Sequence, residues 1–252
     1  MIPLKTPGEI EKVRESCRIV AQALRLSKDR ARRGMTTSEL NALIEDFILD
    51  QGGRPAFKGF CGFPASSCVS INEQVVHGIP GGRRLEKGDI VSVDIGVEKE
   101  SFFGDGAVTF GIETIDAKAL DLIRTCRQAL LAGIEMARPG NRLSDISHAV
   151  QTATEEHGYG VVRDLVGHGI GKQMHEDPQI PNFGQPGKGP RLRAGMVLAI
   201  EPMITAGHYA VRTLEDNWTV VTNDGSLAAH YEHTIAITDQ GPLILTEEQQ
   251  YG

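Results

Sequence analysis

The sequence predicts an α+β protein built from two pseudo-symmetric halves, each of helices followed by antiparallel strands, with a cleft between equivalent strands. Three matches in one order along the chain carry this reading. Residues 34–52, GMTTSELNALIEDFILDQG, align without a gap on 140–158, GNRLSDISHAVQTATEEHG, and 85–96, LEKGDIVSVDIG, align on 192–203, LRAGMVLAIEPM. A histidine set among glycines lies upstream of each strand, His77 in VVHGIP and His168 in VGHGIG. One match between two amphipathic segments is commonplace. Three in the same order indicate a duplicated unit, whose second copy carries extra Gly- and Pro-rich chain within 172–190.

Taken in order, a helix is expected at 8–32 and another at 37–51. In the latter, Leu40, Leu43, Ile44 and Phe47 recur at helical spacing, a Thr near the start can cap it, and Gly52 stops it. Strands follow near 66–71, 89–97 and 102–110. In the second of these, Val91, Val93, Ile95 and Val97 alternate onto one face. The other half opens with helices at 116–137 and 143–157. The latter repeats the pattern with Ile146, Ala149, Val150 and Ala153, with Ser144 near its start and Gly158 at its stop. Strands complete it near 161–166, 196–204, 210–213, 217–222 and 231–238. The repeat runs roughly over 8–110 and 116–238, and no Ser-rich, Gln-rich or charge-block linker separates the copies, so a single domain over 1–252 is expected.

Composition narrows the function. With 26 basic against 33 acidic side chains the formal charge is −7, which argues against a polyanion-binding surface and hence against direct nucleic-acid binding. No run of eighteen apolar residues occurs, and MIPLKTPGEIEK lacks the apolar core of a secretion signal, so a membrane or export role is not expected and the cytoplasm is. Cys17, Cys61, Cys68 and Cys126 form no CxxC pair, which fits reduced, mostly buried thiols. The 29 glycines imply many tight turns and close backbone approaches.

Acids stand where strands should be apolar. Asp94 lies on the face opposite Val91, Val93, Ile95 and Val97, although Asp is depleted in strands. If EKES at 98–101 is a hairpin loop, Val97 pairs with Phe102 and Asp94 with Asp105, about 5 Å apart at Cβ. Two carboxylates that close require a shared proton or a cation. In the other half Glu201 occupies the place of Asp94, and Glu232 opens the strand EHTIAIT. Four carboxylates converging on one cleft are compensated by metal cations or not at all. His168 in GHGIG supplies a nitrogen ligand, and His175 follows in MHEDP. HExxH is absent, which excludes the zincin peptidases, and GxSxG, a Walker A loop and GxGxxG are absent too. An oxygen-rich set with one imidazole suits Mn, Fe or Co, and a bridging carboxylate suggests two metals roughly 3.5–4 Å apart that activate a water for hydrolysis.

The order Asp94, Asp105, His168, Glu201, Glu232, within SINEQVVHGIP, DIVSVDIGV, GHGIG, HEDPQIPNFG, GMVLAIEPM, DNWTVVT and YEHTIAIT, resembles the type I methionine aminopeptidases over nearly the whole chain. The resemblance implies the pita-bread fold, in which two halves wrap a dinuclear site, in a single catalytic domain. It implies that Asp94, Asp105, His168, Glu201 and Glu232 hold two divalent cations, that a hydroxide bridging them attacks the carbonyl of an N-terminal methionine, and that Glu201 shuttles the proton. One cation also binds the free amine. His77 would contact the scissile amide and His175 the carbonyl oxygen. Phe57, Phe60, Phe63, Cys68, Met174 and Trp218 would line the methionine pocket, with Phe57, Phe60, Phe63 and Met174 departing from residues common in the family. Expected substrates are peptides and nascent chains with a small second residue. The expected assembly is a monomer, and cotranslational cleavage would bring it near the ribosome, to which the −7 charge lends nothing. The competing expectations are an X-Pro aminopeptidase or prolidase relative and a non-catalytic pita-bread binding module.

Overall fold

A computed structural model describes residues 2–247; the remainder of the predicted 1–252 domain lies outside the described residues. Among the described residues there are four α-helices, α1 (Pro7–Arg30), α2 (Thr37–Asp50), α3 (Ala117–Met136) and α4 (Leu143–Glu155), and one 3-10 turn at Phe60–Gly62. Each α-helix lies within two residues of its expected limits. The strands in chain order are β1 (Arg54–Pro55), β2 (Cys68–Ile71), β3 (Gln74–Val76), β4 (Ile90–Lys99), β5 (Phe102–Gly111), β6 (Gly160–Val161), β7 (Val166–Gly169) and β8 (Glu176–Pro181). Then come β9 (Val197–Ile200), β10 (Met203–Thr205), β11 (Val211–Thr213), β12 (Val220–Thr222), β13 (Ala228–His230), β14 (Glu232–Thr238) and β15 (Gly241–Ile244).

Helix starts follow from local chemistry. Thr6 and Glu9 close a capping box around α1, with Pro7 at its first position, and Thr36 and Glu39 do the same for α2. The expected serine cap of α4 is not made. Arg142 holds the N-cap position, its N–H donates to Asp145 at 2.7 Å, and Ser144 instead donates to the Lys188 carbonyl. The glycine stops hold in both copies: Gly52 and Gly158 each take a left-handed φ, +69° and +78°.

A nine-stranded antiparallel sheet runs β1-β4-β5-β14-β9-β7-β8, with β2 on β4 and β15 on β14, and two three-stranded sheets flank it. Period two divides the faces. Val91, Val93, Ile95 and Val97 pack against Val20, Ala23, Leu24 and Ile44 of α1 and α2. In the other half Leu198, Ile200, Ile235 and Ile237 pack against Leu130, Ile134 and Ile146 of α3 and α4. Helices cover one face of each half. The other face is left for the cleft.

Three expectations are corrected. The β4–β5 hairpin turns in two residues, Glu100 and Ser101, both left-handed (φ 51° and 63°), so Lys99 pairs with Phe102 and Asp94 with Ala107. Without Asn-Gly or a glycine there, the sequence masks the tight primed turn. The expected strand 196–204 breaks between β9 and β10 at Glu201-Pro202, because proline has no N–H for the ladder. The expected strand 161–166 is two pieces, β6 on β10 and β7 on β8 and β9. Unforeseen strands include β8, inside the Gly/Pro-rich segment. Cys17, Cys68 and Cys126 are buried free thiols and Cys61 is exposed. Among the described residues no helix is long and apolar enough to cross a membrane.

Candidate metal centre

The register lays a row of side chains across four strands. Cys68 pairs with Asp94, Asp94 with Ala107, and Ala107 with Glu232, so all four point to one face. Ala107, with a single methyl, leaves room between the two acids. Asp105 lies two residues from Ala107 on the same face, diagonal to Asp94 rather than opposite it. Its backbone is pinned to β14: its N–H donates to Thr234 Oγ1 at 3.1 Å, and that hydroxyl donates to its carbonyl at 2.8 Å.

β7 and β9 bring the rest. His168 pairs with Ala199, and Glu201 follows β9 directly. His168 Nδ1–H donates to the Gly169 carbonyl at 2.9 Å, which leaves the Nε2 lone pair facing Asp105 Oδ2 at 3.8 Å and Glu201 Oε1 at 3.6 Å. The ligating atoms of Asp105, His168 and Glu232 lie within 4.8 Å of one another, as do those of Glu201, His230 and Glu232. The two triads share Glu232. Asp94 belongs to neither triad but lines the same cavity as Asp105, His168, Glu201 and Glu232, and His230, which the sequence reading did not single out, completes the second triad.

The electrostatics ask for positive charge. Burial pushes the Asp94 carboxyl up to about 7. Asp105, Glu201 and Glu232 are pushed well above the usual carboxylate range, by burial first and then by one another. Asp94 Oδ1 and Glu232 Oε1 are buried without a hydrogen-bond partner. Burial also lowers His168, to about 4, so it is a neutral donor at neutral pH. Orphaned carboxylate oxygens beside an imidazole lone pair fit divalent cations, which supply the missing charge and accept the unpaired oxygens.

These groups form the floor of a cavity of about 660 Å³. Its apolar wall contains Phe57, Phe60, Phe63, Cys68 and Trp218, with Phe63 edge-on to Trp218 at 5.1 Å between centroids. His77 and His175 line it too, His77 at 6.4 Å from Trp218 and His175 edge-on to His168 at 4.3 Å. Desolvation in the cleft lowers both imidazoles from their ordinary value, His77 additionally through His175, although His175 stays exposed at the cavity mouth. Met174 is not among the residues lining the cavity; it is buried in one cluster with Ala56 and Ile170, against which Phe57 packs. The sequence reading also missed Asp164, Gln173, Gln179 and Met203 on the lining. Asp164, Gln173 and Gln179 belong to no acid pair or repeat match, and Met203, although it ends the 192–203 match, aligns on Gly96 and carries no group that marks it as a lining residue.

The loop bearing His175 is fastened by the residue after it. Glu176 Oε1 accepts from the backbone N–H of Lys172 at 2.8 Å and of Gln173 at 3.2 Å, while Oε2 accepts from Lys5 in a buried ion pair.

Known proteins agree with this geometry. The model of metallopeptidase family M24 matches residues 11–239. The chain is 53% identical to a methionine aminopeptidase of Clostridium perfringens, over 98% of this chain and 99% of that one. It is 52% identical to methionine aminopeptidase 1 of Bacillus subtilis, again over 98% and 99%. The methionine aminopeptidase structure of Thermotoga maritima superposes with a TM-score of 0.97 at 47% identity, covering 98% of this chain and all of that one. A prolidase of Pyrococcus furiosus shares the fold at a TM-score of 0.80, with 24% identity and 66% of that chain covered. Family model, relatives and superposition thus meet on the pita-bread scaffold that gathers the acids, and the chain belongs to the methionine aminopeptidases of metallopeptidase family M24.

Proposed function

We propose that the chain removes the N-terminal methionine from peptides and nascent proteins with a small second residue, acting in the cytoplasm as a monomer. Asp94, Asp105, His168, Glu201 and Glu232 hold two divalent cations, of Mn, Fe or Co. The observation that carries this reading is one cavity with an acid-and-imidazole floor and an aromatic-and-thiol wall. The floor hydrolyses and the wall takes a thioether side chain, to which aromatic edges are favourable neighbours.

Bound there, the cations supply charge compensation and acidify water near neutral pH. The remaining work belongs to the chain. Glu201, whose carboxyl is pushed up by burial, takes a proton from the attacking water and returns it to the departing amide nitrogen. His175 and His77, neutral in the cleft, donate N–H to the substrate carbonyl and amide as charge develops on the oxygen. Phe57, Phe60, Phe63, Cys68 and Trp218 position the methionine side chain and exclude water from the floor.

Hydrolysis of Met-Ala-Ser against X-Pro peptides tests the reading. Cleavage of Met-Ala-Ser in the presence of Mn, Fe or Co is expected, and cleavage of X-Pro bonds alone would overturn it in favour of the prolidase relatives. A folded, metal-binding protein inert to both would favour a binding module.

A further inference from the structure

His230 ends β13 and is 1% exposed, yet neither ring nitrogen has a hydrogen-bond partner. A buried imidazole is rarely left without one. Its backbone cannot retreat: the His230 N–H donates to Thr109 Oγ1 at 2.9 Å, and the same hydroxyl donates to the His230 carbonyl at 2.7 Å. Pairing with Met203 in β10 holds the other side. From this clamp Nε2 faces Glu201 Oε2 at 3.7 Å, while Glu201 Oε1 faces His168 Nε2 at 3.6 Å. The Glu201 carboxylate therefore sits between two imidazoles, one of which, His168, already commits its Nδ1–H to a carbonyl.

We propose that His230 is a positioning residue that donates Nε2–H to Glu201 Oε2, fixing the carboxylate so that Oε1 is presented to the metal side of the cleft. The proposal rests on the role given above to Glu201. A closure of less than 1 Å converts the 3.7 Å approach into a hydrogen bond. Ligating carboxylates owe their orientation to such outer donors, and loss of one typically costs 10–100-fold in metal affinity or activity. Glu201 needs the restraint because its backbone is a strand end before Pro202, where ladder hydrogen bonding stops. Asp94 and Asp105, within long paired strands, do not.

The test compares His230→Leu, His230→Asn and His230→Gln with the wild type, each checked by circular dichroism melting. Free Mn²⁺ is titrated by electron paramagnetic resonance without substrate, and kcat and KM are measured on Met-Ala-Ser. For His230→Leu the expected result is kcat lowered about 10- to 100-fold, KM within about twofold, and Mn²⁺ affinity reduced about tenfold. His230→Asn, a donor too short to reach, is expected to match it, and His230→Gln to recover both within about threefold. Wild-type affinity and kcat in a folded His230→Leu would overturn the proposal, as would a His230→Gln variant as impaired as His230→Leu. Loss of one of two imidazole nitrogen couplings to bound Mn²⁺ in His230→Gln would make His230 a ligand and equally overturn it. The Mn²⁺ titration uses no substrate, so a wild-type enzyme inert to Met-Ala-Ser would count against the proposed function and leave the metal readout of His230 standing.

Discussion

Stripping the cations should invert the pH dependence of stability. In the folded chain Asp94 keeps its proton up to about 7, whereas its ordinary value is 3.8. Between those limits the folded state binds more protons than the unfolded one, so the stability Asp94 contributes is fully present below about 4 and is lost as pH rises through about 7. A tenfold change in proton affinity is worth about 1.4 kcal/mol, so Asp94 alone accounts for roughly 4 kcal/mol. Between pH 5 and 7, about two pH units of that interval, the loss is roughly 2.7 kcal/mol, on the order of 5–11 °C in melting temperature for a chain of this size. Asp105, Glu201 and Glu232 are displaced the same way and act in the same direction. Saturating Mn²⁺ acts oppositely, because its ligands must be deprotonated and its affinity grows with pH. At a hundred times its dissociation constant it adds about 2.7 kcal/mol. The assay is calorimetric melting from pH 5 to 8, with chelator and with Mn²⁺. A falling melting temperature is expected in chelator, a flat or rising one with Mn²⁺, and an attenuated fall in Asp94→Asn. A chelated protein that grows more stable from pH 5 to 8 would refute the reasoning.

Other perturbations separate the parts of the site. Asp94→Ala and His168→Ala should each lose bound metal, measured by elemental analysis, together with turnover; full activity of either in metal-free buffer would sink the ligand assignment. Lys5→Met should leave Glu176 buried and unpaired beside His175, lowering stability by about 3–5 kcal/mol, and adding Glu176→Gln should recover part of that loss in denaturant melts. Gly96→Ala places a methyl 2.6 Å from Phe57 Cε1 and 2.9 Å from Met174 Cε. Both are side-chain atoms able to move, so KM for Met-Ala-Ser should rise severalfold while the melting temperature stays nearly unchanged. Trp218→Ala removes the ring between Phe63 and His77 and should raise KM more than it lowers kcat.

How much was legible depends on which regularity carried each residue. Asp94 and Asp105 were placed on one face despite a pairing two residues out of register, because a slip of two preserves the side-chain face where a slip of one reverses it. The helices were legible from the helical spacing of their apolar residues and, for α2 and α4, from glycine stops, which are local. The aromatic wall was not: Phe57, Phe60 and Phe63 sit in a loop around a single 3-10 turn (Phe60–Gly62), and their spacing of three over so short a stretch predicts neither a helix nor a strand. Met174 is a loop residue beside His175, and it packs with Phe57 over Gly96, two residues from Asp94 on the same face of β4. His230 is the instructive miss. In AAHYEHTIAIT His230 belongs to no motif and reads as a buried structural residue. Yet the chain is extended on both sides of Tyr231, and an extended chain sends residues two apart to the same side. Once Glu232 is assigned to the cleft, His230 must follow it there. An imidazole brought among these carboxylates with both nitrogens unpaired can hold an acid in place, the role proposed above, or bind a cation itself, and the nitrogen couplings of bound Mn²⁺ in His230→Gln separate the two.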